Sequence, residues 1–150
     1  MDDKAGLRPS YPRSPKVLLG GLAHLGRFID KIRLRRQGLI QDYNYITTGF
    51  DKYLIELLQI NPQEFEQQVW QGDPDEKLLA WVRAQGRSLT DEEIRLWNDR
   101  ILHGGPKDEA ARQRFQNRLV EIAAKRKTTV EQLPRISTWA DVIELDEGRL

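Results

Sequence analysis

The sequence contains no cysteine among its 150 residues. Disulfides, thiolate metal sites and thiol nucleophiles are therefore excluded, and the composition fits a reducing compartment. No apolar run approaches the roughly 20 residues that a membrane-spanning helix needs, and the N-terminal residues lack the apolar stretch of a secretory signal. We therefore expect a cytoplasmic protein that does not enter a membrane.

The sequence also lacks a recognisable catalytic or metal-binding motif. Asp141, Asp146 and Glu147 offer carboxylate oxygens, but they lack the glycine and the alternating spacing of a calcium loop. Residues 119–133 contain a helix, a basic turn and a second helix start, yet Pro134 leaves little room for a recognition helix. We predict no metal and no cofactor, and we rank nucleic-acid binding third among the functions considered.

The net charge of +1 conceals an uneven distribution of charge along the chain. Residues 1–36 hold nine Lys or Arg against three Asp or Glu, and residues 105–127 hold seven against three. Residues 56–99 hold four against ten, and residues 137–150 hold one against four. The simplest interpretation is that the basic and acidic segments pair within the fold.

The apolar residues that are present recur with the 3.6-residue period of helices, and a chain of this length can bury one core. We predict an all-α single domain over residues 1–150, with six or seven mostly short helices around an N-terminal helix and at most one short strand or hairpin. Residues 1–12 are predicted to form an extended arm, and residues 39–46 are the only β-like patch. Residues 137–150 are predicted to pack back on the first helix through Trp139.

Capping signals divide the middle and the end of the chain into helices. A Ser, Thr or Asn cap followed three residues later by an acidic residue, or a proline in the first turn, marks a helix start. Such signals occur at Thr48, Asn61, Asp73-Pro74, Thr90, Pro106 and Ser137-Thr138.

The helix predicted between residues 13 and 38 is the element around which we expect the chain to be organised. Ser14 suits the N-cap, Pro15 the first helical position and Gly38 the end. Gly20 and Gly21 each disfavour a continuous helix, so we expect a short turn and a helix that restarts at Gly21.

This helix carries an apolar stripe and a cationic face. The stripe contains Leu22, Leu25, Ile29 and Ile32. Cations spaced four residues apart on the other face repel one another unless an anion lies against them. An acidic residue three positions from two of the arginines relieves part of this repulsion. The candidate ligand-binding residues are therefore His24, Arg27, Asp30, Lys31 and Arg35.

The cationic face allows several interpretations. It is either solvated or paired with the acidic segments, or it binds a phosphate or carboxylate, for which the arginine fork is suited. Our preferred function is a binding or regulatory module whose cationic face meets an anionic small molecule or an acidic protein surface. The alternative is an enzyme acting on a phosphorylated or carboxylated small molecule, with Arg27 and Lys31 holding the anion and His24 or Asp30 transferring a proton.

The first 85 residues or so also resemble a known family. The string GxxxLxRxxDKxR, which begins at Gly21, is its most specific part. The other residues that carry the resemblance are Arg13-Ser14-Pro15, Asp51 and the acidic, Trp-containing segment from Asp75 to Trp81. Together they resemble a family of small bacterial domains of unknown function. The resemblance implies a helical bacterial protein, and it brings no activity and no catalytic residue.

Overall fold

The protein is described by a computed structural model that covers residues 11–39 and 44–150. Within these residues it contains one two-stranded hairpin, seven α-helices and one 3₁₀ turn. The antiparallel strands are β1 (Leu18–Leu19) and β2 (Leu22–Ala23). The helices are α1 (Leu25–Arg36), α2 (Gly49–Leu58), α3 (Pro62–Trp70), α4 (Asp75–Gln85), α5 (Asp91–His103), α6 (Glu109–Lys125) and α7 (Trp139–Asp146), and the 3₁₀ turn is Val130–Gln132. The predicted all-α fold with at most one short hairpin is confirmed.

The first helix begins later than the sequence predicts. Ser14 caps no helix, because its hydroxyl accepts from the backbone N–H of Lys16 at 3.0 Å. Gly20 and Gly21 have φ of +58° and +82°, so they form the turn of the hairpin, which other residues adopt only with strain. The glycines therefore interrupt the helix as expected, but three residues of strand and turn follow them before α1 starts at Leu25.

The predicted caps are mostly correct. Asn61 and Thr138 each accept from the backbone N–H three residues later, and Thr90 forms a complete capping box with Glu93. Thr48 makes no cap bond to α2, because its hydroxyl donates to Asn44. The start predicted at Pro106 is also displaced, since Asp108 caps α6, and α4 begins after Pro74 without a side-chain cap. The Asp51 side chain of the box predicted at Thr48 instead turns inward, where it becomes the centre of the site described below.

The hydrophobic core has two parts. The larger part surrounds α1 and is built from β2 and helices α1 to α5, with Phe28 and Phe65 among its fully buried side chains. Trp97 of α5 ties the hairpin to it, since its indole N–H donates to the Ala23 carbonyl at 2.9 Å. The smaller part joins α6, the 3₁₀ turn and α7 around Phe115 and Leu145. Helix α1 is therefore the centre of the larger core, and α6 with α7 forms a layer beyond α5.

Two sequence expectations concern residues that the structure describes only in part. Of the predicted arm, residues 1–10 lie outside the described residues, and so do residues 40–43 of the β-like patch. Residues 44–46 of that patch form no strand. No helix in the described part of the chain is long and apolar enough to cross a membrane.

Candidate functional site

Three of the five predicted site residues lie inside the protein. His24, Arg27 and Lys31 are only 1%, 3% and 4% exposed, although all three are polar. They sit on the side of α1 that faces α2 and the residues after α7. Asp30 is partly exposed, and Arg35 is exposed near the end of the helix. The predicted set is thus divided between the interior and the surface.

Asp51 is the partner around which the buried cations are arranged. It lies in the first turn of α2 and is completely buried. Its Oδ1 accepts from His24 Nε2 at 2.6 Å and from the Lys31 ammonium at 3.1 Å. Lys31 also donates to the Asn44 carbonyl at 2.8 Å. One carboxylate therefore links the start of α1 to the start of α2.

Burial and charge act on these three groups in different directions. Burial lowers the pKa of His24 to about 4, and the charges of Lys31 and Arg27 add to the effect, which outweighs the attraction of Asp51. Burial likewise lowers the pKa of Lys31, against the pull of Asp51. Burial alone would raise the pKa of Asp51, but the His24 hydrogen bond and the Lys31 charge outweigh it and lower that pKa. At neutral pH, Asp51 is ionised and His24 is uncharged.

Asp51 also holds two strained backbone positions. His24 and Ile46 have φ of 73° and 58°, a left-handed conformation that is rare for ordinary residues and rarer for a β-branched one. His24 reaches Asp51 through its ring, and the Ile46 backbone N–H donates to Asp51 Oδ2 at 3.0 Å. Such strain persists only where surrounding contacts enforce it, and it is concentrated at functional sites.

Arg27 pairs with a carboxylate from the far end of the chain. Its Nη1 and Nη2 donate to Oε1 and Oε2 of Glu147 at 2.8 and 2.5 Å, and Nη1 also donates to the Arg13 carbonyl at 3.2 Å. We call His24, Arg27, Lys31, Asp51 and Glu147 the inner network. Its two cations and two carboxylates balance, as the burial of charge requires.

A second, more exposed set of charges lies beside α1, and we call it the outer network. It consists of Arg13, Asp30, Arg33 and Asp75. Arg13 bonds to Asp30 at 2.9 Å and to Asp75 at 2.9 Å, and Arg33 also reaches Asp75 at 2.9 Å. Gly26 makes room for it, since a Cβ there would lie 3.0 Å from the Arg13 guanidinium carbon. All four side chains are one fifth to one third exposed.

Arg35 alone among the predicted site residues lines an open cleft. The cleft has a volume of about 530 Å³, within the range of small-molecule sites. The Arg35 guanidinium lies 4.7 Å from the centre of the Tyr45 ring, and it forms no ion pair with any residue of the described chain. The hydroxyl of the same Tyr45 donates to Glu66. The lining residues are Arg35, Asn44, Tyr45, Ile46, Thr47, Thr48, Gln63 and Glu66.

The described ranges, 11–39 and 44–150, bring no three His, Asp or Glu side chains together in a way that could hold a metal ion. The acidic residues considered as oxygen donors are engaged by cations instead. Asp141 bonds to Lys16 at 2.6 Å, Asp146 to Lys125 at 2.7 Å, and Glu147 to Arg27.

Sequence reasoning missed the two buried carboxylates that complete the site. Asp51 is predicted only as part of a helix cap, and Glu147 only as one member of an acidic tail that is either solvated or paired with the first helix. The signal that points to them is the repulsion within the cationic face, which requires buried anions if that face is internal. Nothing in the sequence marks Ile46 as strained, because its conformation follows from its bond to Asp51.

A family model described as "Domain of unknown function (DUF5069)" matches residues 9–149. The chain belongs to this family. The DUF5069 match extends well past the first 85 residues that carry the resemblance, so the α6–α7 layer and Glu147 lie within the family's domain. No curated protein matches the chain.

Membership of the DUF5069 family supplies no activity, so the function has to be inferred from the geometry of the inner network and of the Arg35 cleft. The inner network is closed to solvent and balanced in charge, which makes it a support for neighbouring structure. The Arg35 cleft is open, and two of its lining residues, Asn44 and Ile46, bond to members of that network.

Proposed function

We propose that this DUF5069 domain is a binding module for a small anionic ligand, and that the ligand occupies the Arg35 cleft. We take the chain to act in a bacterial cytoplasm, as the resemblance and the absence of cysteine indicate. The observation that carries the proposal is an arginine that lines a cleft without a carboxylate partner in the described residues.

Arg35 suits this role because its guanidinium is held in place but not neutralised. Stacking on Tyr45 fixes the plane of the fork and leaves its N–H groups available. A guanidinium so placed binds a carboxylate or phosphate through two parallel hydrogen bonds. Thr47 and Thr48 add exposed hydroxyls to the same cleft.

The inner network supports the cleft from behind. Lys31 bonds to the Asn44 carbonyl, and Asp51 bonds to the Ile46 N–H, so both ends of the segment 44–46 are tied to buried charges. A site fixed in this manner loses little entropy when the ligand binds. In this proposal Lys31 supports the wall of the cleft directly and His24 supports it through Asp51, whereas Arg27 and Asp30 do not line the cleft and bond to Glu147 and Arg13.

Glu66 narrows the class of ligand. Its carboxylate lies in the same cleft as Arg35 and accepts from the Tyr45 hydroxyl. A ligand that carries only negative charge would be repelled by Glu66. We therefore infer a ligand that combines an anionic group, bound by Arg35, with an ammonium or other hydrogen-bond donor near Glu66.

Thermal-shift measurements with matched phosphates test the proposal. Phosphoethanolamine, which carries both a phosphate and an ammonium group, should raise the melting temperature more than ethyl phosphate at equal ionic strength. Arg35→Gln should abolish both shifts, and Glu66→Gln should remove the difference between them.

Arg36→Gln is the matched control variant. Arg36 is the next residue of α1, is also exposed, and stacks on Trp70 at 5.3 Å, but it does not line the cleft. This variant should respond to the ligands as the parent does. Equal loss of response in both variants would indicate non-specific binding to α1 and would contradict the proposal.

One observation favours an enzyme as the second candidate. His24 is neutral, is bound through Nε2 to Asp51, and its buried Nδ1 has no hydrogen-bond partner in the described part of the chain. An acceptor so placed can take a proton, as in a His–Asp pair. If phosphoethanolamine binds, turnover by the parent and its loss in His24→Gln with binding retained would support this candidate.

A further inference from the structure

Arg27 binds the Glu147 carboxylate in the bidentate geometry that an arginine uses for a carboxylate ligand. Both nitrogens at the end of the Arg27 fork contact the two oxygens of one carboxylate, at 2.8 and 2.5 Å. The side chains are only 4% and 2% exposed. The two residues are separated by 120 positions in the chain, so tertiary structure alone brings them together.

The residues that deliver Glu147 are held to the rest of the protein by hydrogen bonds and ion pairs. Glu147 follows the last residue of α7, and the next residue, Gly148, turns the chain with φ of +81°. Gly148, Arg149 and Leu150 are all exposed. Arg149 donates to Glu147 Oε1 at 2.8 Å, to Glu144 at 3.0 Å and to the Pro12 carbonyl at 2.6 Å, and Arg126 donates to the Leu150 carbonyl at 2.8 Å. We call residues 147–150 the C-terminal strap.

The strap can leave without unpacking the helix before it. Helix α7 is held by Val142 and Leu145, which pack with Phe115 and Ile122 of α6. Trp139 adds an edge-on contact with Phe115 at 5.1 Å between ring centres. These apolar contacts are made with α6, whereas Glu147 contacts α1. Loss of the Glu147 contact therefore leaves the apolar docking of α7 intact.

We infer that the Arg27 fork is a second anion site, selective for carboxylates, which the chain closes with its own Glu147. A carboxylate from outside competes with Glu147 for the fork and releases the strap. The fork favours a carboxylate because its two parallel donors match the two oxygens of a planar anion. The inference concerns a buried ion pair that does not line the Arg35 cleft, and it does not depend on the function proposed there.

Chemical rescue of Glu147→Ala tests whether the fork is a carboxylate receptor. The substitution removes the four atoms Cγ, Cδ, Oε1 and Oε2, which have the composition and shape of acetate. The variant should melt several degrees below the parent, and acetate should restore much of the loss in a saturable manner. Formate should restore less, propionate should fit poorly, and chloride at the same ionic strength should restore nothing.

Two further variants separate this result from general salt effects. In Arg27→Met/Glu147→Ala the receptor is absent, so acetate should have no more effect than chloride. Glu144→Ala removes another partner of Arg149 from α7 but leaves Glu147 in place, and it should show no acetate response. If Glu147→Ala is unfolded without acetate, recovery of its helical circular dichroism on adding acetate is the equivalent readout.

Amide hydrogen exchange of the parent tests whether the strap is displaceable. Exchange at residues 147–150 should become faster as acetate is added, while exchange in α6 and in residues 139–145 stays unchanged. If acetate does not rescue Glu147→Ala, the inference that the Arg27 fork is a carboxylate site is wrong. If acetate rescues the variant but does not change amide exchange in the parent, Glu147 is a permanent partner of Arg27. The inference that an external carboxylate displaces Glu147 is then wrong.

Discussion

The two ionic networks beside α1 contain the same kinds of groups but lie in different surroundings. In the inner network, Lys31 and Asp51 are 5% and 0% exposed at the side chain. In the outer network, Arg33 and Asp75 are 33% and 26% exposed. Both pairs have N–O distances near 3 Å, so geometry alone does not distinguish them.

The exposure of an ion pair, and not the number of ion pairs, therefore decides how strongly this fold depends on each charge. A charge in the outer network that loses its partner can still be hydrated. A charge in the inner network cannot, because the apolar core surrounds it. Each member of the inner network is therefore needed, because a buried charge is stable only when its partner is present.

The largest difference in stability is expected when one carboxylate is removed from each network. Asp51→Asn should destabilise the protein by about 3–5 kcal/mol, because Lys31 would remain buried without its counter-charge. Asp75→Asn, the matched change in the outer network, should cost about 1 kcal/mol or less, since Arg13 and Arg33 are about one third exposed and keep access to water. Urea unfolding followed by circular dichroism measures both free energies.

The comparison fails if the two variants are equally stable. It also fails if Asp51→Asn lowers the slope of the urea transition strongly, because the effect would then arise from a changed folded or unfolded state and not from the lost pair.

Acid titration should reveal the inner network through His24. The pKa of His24 is about 4 in the folded protein against 6.5 in the unfolded chain. Between these values the unfolded state binds the additional proton, so the free energy of unfolding should fall as the pH is lowered from 6.5 to 4, by about 3 kcal/mol in total. The shift of Asp51 to lower pKa acts in the same direction at still lower pH.

His24→Gln provides the test of this assignment, because its amide can donate to Asp51 but does not titrate. The variant should lose most of the pH dependence between 6.5 and 4. His103→Gln changes the other histidine, which is exposed at the end of α5, and should retain the parent profile. A parent protein whose stability is independent of pH in this interval would contradict the buried, neutral state of His24.

Much of the fold was predictable because local signals agree with the tertiary structure. The caps at Asn61, Thr90 and Thr138 are correct, since each is satisfied within four residues of chain. The start of α1 was predicted wrongly for the opposite reason. Pro15 and Ser14 have helix-start chemistry, but the chain forms a hairpin that is held by α5, which lies about 75 residues further on.

The site was predictable only in part. Helical spacing correctly places the inner residues Arg27 and Lys31 on one side of α1, but it does not reveal whether that side faces water. The answer depends on Asp51 and Glu147, which are 20 and 120 residues away from their partners. Trp139, which the sequence predicts to dock on α1, lies instead against Phe115 of α6, in the smaller part of the core.

A smaller loss of stability is expected when an apolar anchor is removed than when a buried charge loses its partner. Trp139→Ala should destabilise the protein by about 2–3 kcal/mol, since the ring is only partly buried against α6. Asp146→Asn should cost less than about 1 kcal/mol, because its pairs with Lys125 and Arg118 lie at the surface. Urea unfolding measures both, and an Asp146 variant as unstable as the Trp139 variant would contradict the assignment.

The smallest effect, and the most direct comparison of the two networks, is their response to salt. In 1 M NaCl the Debye length falls to about 3 Å, which screens charges that solvent can reach but not charges enclosed by protein. The cost of Asp75→Asn, measured against the parent in the same buffer, should therefore shrink by a few tenths of a kcal/mol between 0.05 and 1 M NaCl, roughly the share that an exposed pair gains from attraction in dilute salt. The cost of Asp51→Asn should be unchanged within error over the same range, because no ion can approach Lys31 without unfolding the segment that covers it. If both costs fell in parallel, Lys31 would have to be open to counter-ions, and the distinction between an inner and an outer network would be lost.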